Sequence, residues 1–137
     1  MNSAATILLV DDDRHLVLSM AEWLRECGHE VETSETLDDA RRNLAAKRFD
    51  LVITDLRLGP DDGFDVINLV RSKHPDSAVL VVTGYATPDT AVEAVRAGAF
   101  DLLTKPLIDE ELSLAIQRAT AQSEITRENE LLRQQLD

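Results

Sequence analysis

The sequence predicts a doubly wound α/β domain built on a five-stranded parallel sheet, with an over-long last helix. Three observations predict it. Five short apolar runs alternate with longer amphipathic ones. Three of the short runs, Ile7–Val10, Leu51–Thr54 and Ala78–Val82, are almost continuously apolar and rich in β-branched residues. Parallel strands buried on both faces need that composition. Helix start and stop signals bracket the segments between them.

The first strand is Ile7–Val10. Leu16, Met20 and Leu24 follow at i, i+4 and i+8, with Asp13 placed to cap their helix and Gly28 placed at its left-handed end. Glu30–Thr33 is the second strand. Thr36 and Asp39 resemble a capping box, and Leu37, Ala40 and Leu44 keep helical spacing. Leu51–Thr54 is the third strand. The loop after it, Leu58-Gly59-Pro60-Asp61-Asp62-Gly63, has turn chemistry. Phe64, Ile67 and Val70 mark a third helix, closed by His74-Pro75-Asp76. Ala78–Val82 is the fourth strand. Thr87, Pro88 and Asp89 supply an N-cap, a proline at N1 and an acidic first turn. Ala91, Val92 and Val95 continue that fourth helix and Gly98 ends it; Phe100–Leu103 is the fifth strand.

Right-handed crossovers put helices on both faces of such a sheet. A small domain of this pattern is expected to be flavodoxin-like, with strand order 2-1-3-4-5 and its site beyond the carboxyl ends of the strands. From Asp109 to Leu136 there is no Gly or Pro. The last helix therefore outruns the domain, and the chain divides into a body over 1–120 and a helical extension over 121–137.

Composition narrows the function. The net charge is -12, spread along the chain, which argues against nucleic-acid binding because phosphate backbones need clustered Lys and Arg. A single cysteine, Cys27, excludes an intrachain disulfide and suits a reducing cytosol. No apolar run approaches a membrane span. A cytoplasmic location is expected.

The strand ends carry the chemistry. Strand one ends in Asp11-Asp12-Asp13, strand three in Asp55, strand four in Thr83 and strand five in Lys105-Pro106. On a doubly wound sheet these positions converge. Asp11, Asp12 and Asp55 would repel one another at low dielectric. A hard divalent cation resolves that conflict, and Mg²⁺ suits a site that keeps waters and shares phosphate oxygens. A carboxylate beside such an ion can serve as a nucleophile for phosphoryl transfer. A hydroxyl (Thr83) and an ammonium (Lys105) can then meet the phosphoryl oxygens. Taken singly, each residue has a plainer reading: Asp11 or Asp13 as a helix cap, which is the favoured reading of Asp13, Thr83 as a turn residue, and Lys105 as a surface cation. Four strand ends with compatible chemistry outweigh those readings.

These segments, Leu8-Leu9-Val10-Asp11-Asp12-Asp13, Asp50-Leu51-Val52-Ile53-Thr54-Asp55-Leu56-Arg57, Val82-Thr83-Gly84, Gly98-Ala99-Phe100-Asp101 and Lys105-Pro106, resemble the receiver domains of bacterial two-component response regulators. The resemblance runs from residue 6 to about 120. It implies that Asp55 accepts a phosphoryl group from a histidine kinase. It implies that Asp12, Asp55 and the backbone carbonyl of Arg57 hold Mg²⁺, with Asp11 helping through water, and that Thr83 and Lys105 contact the phosphoryl group. It also implies a cis Lys105–Pro106 bond, which would re-aim the chain after strand five. Such a protein catalyses its own phosphorylation and dephosphorylation without being a turnover enzyme, and switches an output domain, here expected to regulate transcription.

Three positions depart from the family pattern. Leu58-Gly59-Pro60 replaces the usual Met-Pro pair, Gly84 stands where Ala is commoner, and Leu102 replaces a frequent Tyr or Phe that acts as a rotamer switch. The tail has its own pattern. Ile125, Asn129, Leu132 and Leu136 follow a 4-3-4 spacing, a short coiled-coil seam in which Asn129 could set the register. Arg127-Glu128-Asn129-Glu130-Leu131-Leu132-Arg133 resembles the linker between receiver and ATPase domains in sigma-54-dependent (NtrC-like) activators. A homodimer through the fourth and fifth helices and this tail is expected. The plain alternative for the tail is a solvated helix.

Other functions fit less well. A haloacid-dehalogenase-type phosphatase needs Asp-x-Asp at its nucleophile, and Asp55-Leu56-Arg57 lacks the second Asp. A flavin mononucleotide module needs a phosphate-cradling loop after strand one, where Asp11–Asp13 would repel a phosphate. A pseudo-receiver serving only for dimerisation would have no need of Asp12, Asp55, Thr83 and Lys105. No dinucleotide or P-loop motif is present.

Overall fold

Side chains of three almost continuously apolar central strands point alternately to the two faces of a parallel sheet and sort the core into two halves, one on each face. The computed structural model describes residues 4–136. The main strands are β1 (Thr6–Val10), β2 (Glu30–Ser34), β3 (Leu51–Thr54), β6 (Ala78–Thr83) and β7 (Asp101–Thr104). They pair in parallel in the order β2-β1-β3-β6-β7. That is the expected doubly wound order; the strand numbers differ because a two-stranded antiparallel ribbon, β4 (Arg57–Leu58) and β5 (Asp61–Asp62), lies between β3 and β6.

The helices are α1 (Arg14–Glu26), α2 (Leu37–Ala46), α3 (Gly63–Lys73), α4 (Pro88–Ala97) and α5 (Asp109–Leu136). On one face Ile7, Leu9, Ile53, Leu80 and Val82 pack against Met20 and Leu24 of α1 and Leu112 and Ile116 of α5. On the other, Leu8, Val10, Val52, Val79 and Val81 meet Leu44 of α2, Ile67 of α3 and Ala94 of α4. Successive strand residues point to opposite faces, so one apolar run feeds both halves.

Local signals set the helix ends. The Asp13 carboxylate accepts from the Leu16 N–H at 3.2 Å, and the Thr36 hydroxyl from the Asp39 N–H at 3.1 Å. Thr87 caps α4 in the same way, with Pro88 in its first turn. Gly28 and Gly98 take positive φ after α1 and at the end of α4.

Two details differ from the sequence pattern. Val92 and Val95 of α4 are about half exposed, and only Ala94 of that helix is fully buried. The helix covers a sheet edge, so one narrow stripe suffices and the valines face outward. In α5 the buried stripe runs through Leu112, Ala115, Ile116, Ala119 and Ser123, one turn past the expected edge of the body at 120. Ser123 is fixed there by donating from its hydroxyl to the Asp76 carbonyl at 2.6 Å. Asp76 pairs with Arg48 at 2.9 Å, and Arg48 with Asp50 at 2.6 Å. Asp50 in turn accepts from the Thr6 N–H at 2.9 Å. This network fastens the foot of the sheet to α5. Beyond it, Ile125, Leu131, Leu132 and Leu136 are exposed. The helix spans 28 residues, about 42 Å at 1.5 Å per residue.

Candidate functional site

Ladder hydrogen bonds carry past the strand ends and place the polar side chains. The Asp55 N–H donates to the Val10 carbonyl at 3.1 Å, and the Asp11 N–H to the Ser34 carbonyl at 3.0 Å. The Lys105 N–H donates to the Thr83 carbonyl at 2.9 Å. Each bond extends a parallel pairing by one step. Asp11, Asp55, Thr83 and Lys105 therefore leave neighbouring strands at one edge. The Lys105–Pro106 peptide is cis, as the resemblance implied.

The Lys105 ammonium sits between two buried carboxylates. Its Nζ lies 2.8 Å from Asp11 Oδ2 and 2.8 Å from Asp55 Oδ2. Asp55 Oδ1 accepts from the Arg57 N–H at 3.1 Å. Burial pushes the Asp55 carboxyl up, but Lys105, the Thr83 hydroxyl and the Arg57 N–H together hold it below its ordinary value. Asp55 is thus an ionised, partly desolvated carboxylate. Burial dominates at Asp11, whose carboxyl is raised despite Lys105 and the Asp13 N–H, with Asp55 repulsion adding to the rise. Burial would lower Lys105, yet the two carboxylates raise it, so it stays charged.

Asp12 lies at the rim, exposed to solvent. Its Oδ2 is 3.7 Å from where a Cβ on Gly59 would stand, which brings it against the β4–β5 turn. Gly59 takes φ of +62° and turns that ribbon, which is the shape of the Leu58–Gly63 loop. Asp13 points away and caps α1, the plainer of its two readings.

Among the described residues, no three acidic, His or Cys side chains converge tightly enough to hold a metal ion by themselves. The donor chemistry nevertheless suits a hard cation. Two carboxylates already share one positive charge, Asp12 is exposed at the rim, and Mg²⁺ habitually keeps several waters. Two clefts lie away from this edge. One of about 270 Å³ lies between α1 and α5, lined by Trp23, Cys27 and His29; another, of about 420 Å³, lies at the foot of the sheet beside Asp76 and Ser123. Neither is lined by Asp55.

Residues 7–117 match the family described as the response regulator receiver domain. The chain belongs to that family. It is 38% identical over 117 residues to the DNA-binding transcriptional regulator NtrC of Azospirillum brasilense, covering 85% of this chain and 24% of that relative. A response regulator structure from Burkholderia pseudomallei, with a phosphorylated aspartic acid, calcium ion and citrate, superposes with a TM-score of 0.79. It is 35% identical, over 92% of this chain and 73% of that one. The beryllofluoride-activated NtrC4 receiver domain dimer gives a TM-score of 0.81 at 32% identity, over 86% of this receiver chain and 98% of that chain. This receiver spans about a quarter of the length of several of the curated relatives it matches.

Two contributions escaped the sequence reading. Gly63 lets α3 start against the Asp55 backbone, because a Cβ there would meet the Asp55 carbonyl oxygen at 2.0 Å. The glycine itself was visible in the loop; the close approach was not. The second is a stack of the Arg57 guanidinium on the Tyr85 ring, 3.8 Å from its centroid. Neither residue type nor spacing signals that pairing.

Proposed function

We propose that Asp55 is the phosphoacceptor of this receiver and that a histidine kinase supplies the phosphoryl group. The observation that carries the reading is the Asp55 carboxylate itself: buried, held ionised, and set 2.8 Å from a lysine that also binds Asp11. A carboxylate oxygen of Asp55 attacks phosphorus, the phosphorus–nitrogen bond of the phosphohistidine breaks, and the imidazole leaves with its electron pair and takes a proton from water. The product is an acyl phosphate on Asp55. Lys105 and the Thr83 hydroxyl then face the new phosphoryl oxygens and stabilise them.

Asp12, Asp55 and the Arg57 carbonyl, with Asp11 through water, are the groups that would hold Mg²⁺. When bound, the ion supplies charge neutralisation for the transferring group. The Burkholderia relative, with a phosphorylated aspartic acid and a calcium ion, supports this reading. The absence of a second Asp at position 57 supports a receiver that modifies itself over a phosphatase that turns over.

In this reading the body, 1–120, acts in the cytoplasm as the input of an NtrC-like regulator, and the extension, 121–137, leads to an output domain that controls transcription. The exposed Val92 and Val95 on α4 and the apolar stripe on α5 favour a homodimer, as in the NtrC4 receiver dimer.

Acetyl phosphate with Mg²⁺ tests the assignment by intact mass. One phosphoryl group should add to the wild type and none to Asp55→Asn. Labelling that persists in the Asn variant would move the acceptor elsewhere.

A further inference from the structure

Tyr85 and Arg57 close a loop of contacts around Asp55. The Arg57 N–H donates to Asp55 Oδ1 at 3.1 Å. The Arg57 guanidinium lies over the Tyr85 ring, 3.8 Å from its centroid. The Tyr85 N–H donates to the Thr83 hydroxyl oxygen at 3.2 Å. Thr83 is fully buried at the end of β6, on the strand beside Asp55. Beside the Thr83 hydroxyl's own contact with Asp55, these bonds join the two loops across the mouth of the site.

Leu102 cannot serve as an aromatic read-out. It is partly buried against the core between the sheet and α2, α3 and α4, with no polar group to follow a moving hydroxyl. Tyr85 differs. The residue is 56% exposed and its ring carries the Arg57 guanidinium, while its backbone bonds the Thr83 hydroxyl that faces Asp55. It also stands three residues before Pro88, the first residue of α4, so motion at Tyr85 reaches that helix directly.

We infer that the Arg57–Tyr85 stack is a latch that holds the β6–α4 loop in its resting arrangement, and that phosphorylation of Asp55 releases it. The inference rests on Asp55 being the phosphoacceptor. A phosphoryl group on Asp55 accepts from the Thr83 O–H and draws that hydroxyl toward it, pulling its oxygen away from the Tyr85 N–H that donates to it. The same group displaces the Arg57 backbone, which is bonded to the other carboxylate oxygen. Both ends of the latch are disturbed at once, and α4 is freed to move. A stack between exposed groups is a small lever, which suits a switch whose two states lie close in energy.

Beryllofluoride with Mg²⁺, as a stable phosphoryl mimic, tests the latch on the whole chain. Its affinity and the amide shifts of α4 are measured together. Loss of the stack should favour the released state, so Tyr85→Ala should bind beryllofluoride about two- to fivefold more tightly, the range a surface cation–π contact allows. Its α4 amides should already be displaced toward their bound positions before the mimic is added. Tyr85→Phe keeps the ring and should behave as wild type. Arg57→Gln should reproduce Tyr85→Ala, and the double variant should bind no more tightly than either alone. Unchanged or weaker binding by Tyr85→Ala, with resting α4 shifts, overturns the latch while leaving Asp55 as acceptor. A wild type that binds no beryllofluoride removes the acceptor and the latch together.

Discussion

Gly63 stands so close to Asp55 that a Cβ on it would lie 2.0 Å from the Asp55 carbonyl oxygen. The Gly63 N–H meanwhile donates to the Leu56 carbonyl at 2.9 Å. The start of α3 is thereby pressed onto the backbone that carries Asp55. Neither side of the contact is a flexible side chain, so relief requires the backbone to shift.

Gly63→Ala should therefore destabilise the domain by about 1–3 kcal/mol, as overpacking does, and should slow labelling by acetyl phosphate. Gly84→Ala is the control. A Cβ on Gly84 meets nothing within 4 Å and its φ is not positive. That change should stabilise by about 0.4–1 kcal/mol through the unfolded chain. Urea unfolding of both variants checks the pair; equal midpoints would show that the Asp55 backbone yields freely.

His29 gives the fold a pH dependence. The imidazole is buried, and its Nδ1 accepts from the Ala5 N–H at 3.1 Å, a role open only to the neutral ring. Burial lowers it from an ordinary value of 6.5. The unfolded chain therefore binds a proton more readily than the folded one. Stability is full above 6.5 and falls as the pH drops from there toward the lowered folded value. His29→Asn offers a similar acceptor that does not titrate, and should flatten that slope. Identical slopes for the two proteins between about pH 5 and pH 7 would assign the dependence to other groups.

Much of this was legible because parallel strands force a strong code. Ile7–Val10, Leu51–Ile53 and Ala78–Val82 are apolar throughout, so the polar residues at and just after the strand ends stand out. Asp11, Asp55 and Lys105 were legible together for that reason, and the structure joins them at one ammonium. Pattern failed where geometry is set by tertiary approach. The clash that reserves Gly63 for glycine depends on where α3 lands. The Arg57–Tyr85 stack joins two loops whose spacing carries no period. The α4 valines kept helical spacing yet face outward, because periodicity reports a stripe without saying what covers it. Ser123 was hidden for the opposite reason, as a small polar residue whose burial depends on the Asp76 carbonyl.

Ser123→Ala should loosen the foot of α5 without unfolding the sheet. The Asp76 carbonyl would lose its only described side-chain donor, at a cost of about 1–2 kcal/mol. Amide exchange should then quicken from Ser123 onward while β1, β3 and β6 keep their protection. Uniform quickening across the sheet would show that the contact supports the whole domain and not the helix foot.

The exposed tail should pair with a second copy, and where it is cut decides what the experiment reads. Ile125, Leu132 and Leu136 lie on one stripe with Asn129, exposed in the single chain. Pairing two such helices buries the stripe, and each fully buried Leu or Ile contributes about 1.5–3 kcal/mol. Asn129 at the seam favours parallel, in-register pairing. Two heptads are short, so the outward valines of α4 and the α5 surface should contribute as well. A chain ending at Ala121 loses the seam but also Ser123, which mixes loss of pairing with loss of the anchor. A chain ending at Thr126 keeps the Ser123–Asp76 bond and removes Leu131, Leu132 and Leu136. Sedimentation of the phosphorylated chains should show weaker dimerisation for both truncations, while urea unfolding should separate them, with only the shorter chain destabilised. A monomer–dimer constant unchanged by ending the chain at Thr126 would leave the last eleven residues as a solvated linker, and would place any pairing on the α4 and α5 surface alone.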